Sequence, residues 1–73
     1  MADSENVLPR VPSQYLAAAL GTLPNAEIAG QDVMEALIDV PDIGRVLVTA
    51  KRLKHKRGRS TNYFWTAEKA VVI

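Results

Sequence analysis

Cysteine is absent, so neither a disulfide framework nor a thiolate metal site can hold this chain together, and its stability must come from packing or from association. The lone histidine, His55, cannot build a His-based metal site. Nor do Ser4, Ser13 and Ser60 have the partners of a nucleophilic triad around it, and the acids are spread over caps and solvent faces. No enzyme and no cofactor are expected. The first ten residues lack the basic start and apolar stretch of a signal peptide, and no apolar run approaches the roughly 20 residues of a membrane span. A soluble cytoplasmic protein without a membrane partner is the expectation.

The most telling absence is local: no acid lies between Arg45 and Arg59, a stretch that holds seven bases. Residues 1–44 carry seven acids (Asp3, Glu5, Glu27, Asp32, Glu35, Asp39, Asp42) against Arg10, net −6. Residues 45–73 carry eight bases (Arg45, Lys51, Arg52, Lys54, Lys56, Arg57, Arg59, Lys69) against Glu68, net +7. The overall +1 therefore conceals a dipolar molecule. A basic run of this kind repels itself unless an anionic partner neutralises it, which makes nucleic acid the first partner to consider. A solvated, solubilising face is the plain alternative, and an acidic protein or the chain's own acidic half is another.

With 73 residues there is room for one domain, and a chain of this size buries only about 60% of the surface it exposes when unfolded. A hydrophobic content of 48% is in the globular range, so a folded core is expected. Residues 1–11 are polar and acidic, then broken by Pro9 and Pro12, and read as a flexible arm that adds little to the core. Residues 12–73 form the domain.

Within it, apolar residues at 15, 16, 19, 20 and 23 make a helical stripe that ends near Gly21 to Pro24. A brief strand is expected through Ala26, Glu27 and Ile28. Val33, Met34, Leu37 and Ile38 share one face of a second helix over Gln31 to Ile38, with Asp32 and Glu35 in its first turns. Pro41 suits the first turn of a third helix running to about His55, whose apolar side is Ile43, Val46, Leu47, Ala50 and Leu53. Gly44 in that first turn costs about 1 kcal/mol relative to alanine. After it come the basic segment Lys54 to Ser60, with Gly58 as the positive-φ residue of a hairpin, and the β-type run Thr61 to Thr66. In that strand Tyr63 and Trp65 share a face, and Phe64 takes the other.

The order helix, short strand, helix, turn, helix, hairpin resembles the winged helix-turn-helix DNA-binding superfamily. The likeness is carried by the spacing Val46, Ala50, Leu53 of a recognition helix, by the basic run Lys56 to Tyr63 as a wing, and by Trp65, Thr66 and Ala70 as its closing strand. The resemblance implies a mainly α fold with a small β-hairpin, three helices plus a wing. It also implies Trp65 inside, with Phe64 left to pack on the C-terminal residues, on a second copy or on a base.

Its functional consequence is a small regulator or accessory factor of bacterial, phage or plasmid type, acting in transcription regulation and reading duplex DNA with the third helix. On that helix Arg45 and Arg52 are the base-reading candidates, Val48 meets a thymine methyl, and Thr49 reaches a base or phosphate. Lys51, Lys56, Arg57 and Arg59 are phosphate contacts, with His55 and Asn62 beside them. Self-association into a homodimer is expected, through the first helix or residues 70–73. Two other readings remain: a winged-helix interaction module docking an acidic protein, and an RNA-binding protein with Tyr63 or Phe64 stacked on unpaired bases.

Overall fold

Val46, Val48 and Ala50 alternate with Leu47, Thr49 and Lys51, and this period of two, carried by β-branched residues, decides the structure of the central segment. The computed structural model describes residues 6–73. A short 3-10 turn, Leu8–Arg10, leads into α1, Ser13–Gly21, and three strands follow: β1, Val33–Val40; β2, Gly44–Arg57; and β3, Ser60–Val72. They form one antiparallel sheet in the order β1-β2-β3.

The expected three-helix winged helix-turn-helix is thereby corrected. Only the first of its helices exists; the second is β1, the third is β2, and residues 26–28 form a turn where a brief strand was expected. The pairing Ala36↔Val48↔Ala70 puts small apolar side chains of all three strands side by side, which a helix over residues 42–55 would have scattered.

The Pro41 and Gly44 signals belong to a hairpin. Ile43 N–H donates to the Val40 carbonyl at 3.1 Å across Pro41 and Asp42, and Asp42 has a φ of 72°. Proline at the second position and positive φ at the third define a type II turn. Gly44, at φ 110°, then takes the chain into β2 with a backbone that other residues rarely adopt. The second hairpin has only two turn residues, Gly58 and Arg59, between the pair Arg57↔Ser60. Gly58 has a φ of 60°, as expected, and its place at the first central position is that of a type II′ turn, whose twist matches the strands it joins. A register shift between Thr49 and Ala50 leaves Glu68 unpaired as a bulge on β3.

One face of the sheet is covered by α1 and the segment before it. Val7, Val11 and Ala19 pack there on Ala36, Val40, Val46, Val48 and Ala70, with Tyr15, Leu16 and Leu23 at the margin. Val7 and Val11 thus join a core to which residues 1–11 were expected to add little. The segment is also clasped to β3: Val7 N–H donates to the Ala70 carbonyl at 2.7 Å, and Ala70 N–H donates to Asn6 Oδ1 at 3.0 Å. Residues 1–5, with Asp3 and Glu5, lie outside the described residues. Among the described residues all ten buried apolar ones are valine or alanine, so the core is thin. Among the described residues no helix is long and apolar enough to cross a membrane.

Candidate nucleic-acid interface

Strand length sets the geometry of the basic segment. Pairing of β1 with β2 ends at Val33↔Lys51, whereas β2 and β3 stay paired to Arg57↔Ser60. Residues 53–57 and 60–64 therefore project beyond the third strand as a two-stranded ribbon, about 16 Å long at 3.3 Å per residue. From Leu53 to Asn62 every residue is exposed.

Alternation distributes the side chains of this ribbon. Lys54 and Lys56, opposite Tyr63 and Thr61, continue the helix-covered face. His55 and Arg57, opposite Asn62 and Ser60, continue the open face, while Arg59 occupies the tip. One side thus carries ammonium groups and the other carries the planar guanidinium, imidazole and amide. No acid interrupts the chain from Ile43 to Ala67.

Of the residues expected to touch DNA, the structure brings His55, Lys56, Arg57, Arg59 and Asn62 together on the ribbon, with Lys51 at its base on the open face. Lys54 joins them; the basic run pointed to it, but the helical reading gave it no face. The other expected contacts separate. Val48 has 0% exposure and lies in the core, so it presents no methyl to a base. Thr49 is half-buried on the open face between Glu35 and Lys69, away from the ribbon.

Arg45 and Arg52, proposed as neighbours on one helix face, lie on opposite faces of β2, about 23 Å apart along the strand. Arg45 sits near the acidic β1–β2 turn, its Nε 3.5 Å from Asp39 Oδ1 in a fully solvated pair that contributes little. Arg52 is engaged by the protein itself. Its guanidinium donates to Asp32 Oδ1 at 2.8 Å and to the Ala26 carbonyl at 3.3 Å, and stacks 4.9 Å from the Tyr63 ring centre.

Trp65 stands beside Arg52 in the same function: its indole Nε1 donates to the Pro24 carbonyl at 2.8 Å. It faces inward as expected, although half-buried, and Phe64 points to the other face. Together Arg52 and Trp65 fasten the loop 22–32 to the root of the ribbon. Arg52→Ala is therefore expected to lower stability by about 1–2 kcal/mol, the sum of a weak exposed pair, a carbonyl bond and a cation–π contact. Chemical denaturation checks the loss; discrimination between DNA sequences should be unchanged, since the guanidinium is turned to Ala26, Asp32 and the Tyr63 ring.

The described residues form no cavity, and no three acidic or histidine side chains among them converge on a point that would hold a metal. No protein-family model, curated protein or solved structure matches the chain.

Proposed function

We propose that this is a duplex-DNA-binding protein that lays the β2–β3 ribbon in the major groove, acting as a small regulator or accessory factor. The observation that carries the reading is the ribbon itself: exposed from Leu53 to Asn62, free of acids, basic on both faces and at its tip. The B-form major groove, about 12 Å wide, admits a two-stranded β-ribbon as well as a helix. Arg57 and Asn62 then face base edges, for guanidinium and amide groups bond bidentately to guanine and adenine. Lys54 and Lys56, compact point charges on the opposite side, suit phosphates.

The five bases on the ribbon and at its root (Lys51, Lys54, Lys56, Arg57 and Arg59), none of which pairs with an acid among the described residues, set the salt dependence. If each neutralises one phosphate, log K falls against log salt with a slope of about −4.5, or about 500-fold between 50 and 200 mM. Titration of a labelled duplex at several salt concentrations measures this slope. Binding that is absent at low salt, or indifferent to salt, overturns the reading. Duplex RNA of the same sequence should compete poorly, because the deep, narrow A-form major groove excludes the ribbon; stronger competition by RNA would shift the assignment to that partner.

A further inference from the structure

The sheet face opposite α1 has no cover among the described residues, yet it is not a polar surface. An antiparallel sheet with one solvated face normally turns polar residues to water. Here Leu37, Leu47 and Val71 stand side by side across all three strands, an unbroken apolar row. Of the seven exposed large hydrophobic residues among those described, four, Val33, Leu37, Leu53 and Phe64, also lie on this face, while the fully buried residues beneath are no larger than valine. The open face thus leaves large apolar side chains to solvent, a distribution that favours association in a chain this small.

We infer that a second copy of this chain covers the open face, in a two-fold dimer whose axis runs parallel to β2. Charge complementarity between β1 and β3 favours both the occupant and the axis. One row beside the apolar one is Glu35↔Thr49↔Lys69, with opposite charges at its two ends and neither of them in an ion pair among the described residues. An axis parallel to β2 sets β1 of each copy over β3 of its partner, so that Glu35 meets the partner's Lys69 twice while Leu37, Leu47 and Val71 meet Val71, Leu47 and Leu37. Arg45 and Lys51, over the axis on the same face, each meet their own copy once, Arg45 with Asp39 of its own chain beside it and Lys51 further from the centre. An in-plane axis across the strands fails. Placed on the apolar row it sets Glu35 against Asp39, and placed on the next row it sets Glu35 against Glu35 and Lys69 against Lys69.

Two sheets packed in this way lie about 10 Å apart and cross at about 30°, which swings the two basic ribbons apart beyond Leu53. The free edge of β1 is a poorer route to the same dimer, because antiparallel self-pairing about Leu37 would bring Glu35 and Asp39 of the two chains together. The dimer forms without nucleic acid, so it stands or falls apart from the DNA reading.

The test is sedimentation equilibrium of the full chain, free of nucleic acid, with substitutions on the open face. Leu47→Asp, at the centre, is expected to weaken the dimer at least about 100-fold, since the change acts twice across the two-fold, while circular dichroism shows the sheet retained. Glu35→Lys and Lys69→Glu should each weaken it about 10-fold or more, and the double variant Glu35→Lys, Lys69→Glu should restore it. A chain that stays monomeric up to about 1 mM overturns the inference, as does a dimer indifferent to Leu47→Asp. A dimer lost in Leu47→Asp but not restored by the double exchange overturns the assigned axis.

Discussion

Val48→Asp will leave the chain unfolded. Val48 has 0% exposure and is flanked on the sheet by Ala36 and Ala70, so a carboxylate there has neither water nor a hydrogen-bond partner. Burying an unpaired charge costs several kcal/mol, as much as the whole stability of about 5 kcal/mol that a domain of this size can reach. Circular dichroism and amide proton dispersion check the outcome. The same substitution on the outer face of a recognition helix would have altered DNA binding and left a folded protein, so this variant separates the two architectures directly.

The second large effect falls on binding and spares the fold. Replacing Lys54, Lys56, Arg57 and Arg59 together by alanine leaves, among the described residues, Lys51 as the one unpaired base at the root of the ribbon. The salt slope should fall to about −0.9, and affinity for duplex DNA at 100 mM salt should drop about 10³ to 10⁴-fold. All four side chains are exposed, and removing their mutual repulsion should leave the unfolding midpoint unchanged or slightly raised. Fluorescence titration and thermal melts of the same preparation test both halves of the expectation; an affinity within a few-fold of the parent would remove the ribbon from the interface.

Several features could be read directly from residue order. The stripe at 15, 16, 19, 20 and 23 gives α1, Gly58 marks the tip of the second hairpin, and the parity of Tyr63, Phe64 and Trp65 gives their faces. The separation of acids from bases was plain as well. The segments 33–40 and 44–57 were misread because their apolar residues satisfy two periods at once. Ile43, Val46, Leu47, Ala50 and Leu53 fall on one side of a helix, while Val46, Val48 and Ala50 fall on one side of a strand.

Two local signals favoured the strand. Val46, Val48 and Thr49 are β-branched, and Pro41 with Asp42 ahead of Gly44 is better turn chemistry than helix-start chemistry. The bonds of Arg52 to Ala26 and Asp32 were beyond reach, for they join residues 26 and 20 positions apart and depend on the path of a loop. Without them Arg52 looked like any other base of the run.

The length by which β2 and β3 outrun β1 has a thermodynamic consequence. A two-stranded hairpin is at best marginally stable in water, and like charges repeated along β2, Lys54 and Lys56 on one face, lower that margin further. Residues 53–64 therefore constitute a unit of low local stability, whose amides exchange with solvent without global unfolding, while those near Val46 and Val48 exchange only when the whole sheet opens. Any polyanion that engages the ribbon must also bear the loss of this conformational freedom. Measured affinity will then report the ordering of the strands together with the contacts they make, and a substitution that stiffens the ribbon without touching the ligand will tighten binding.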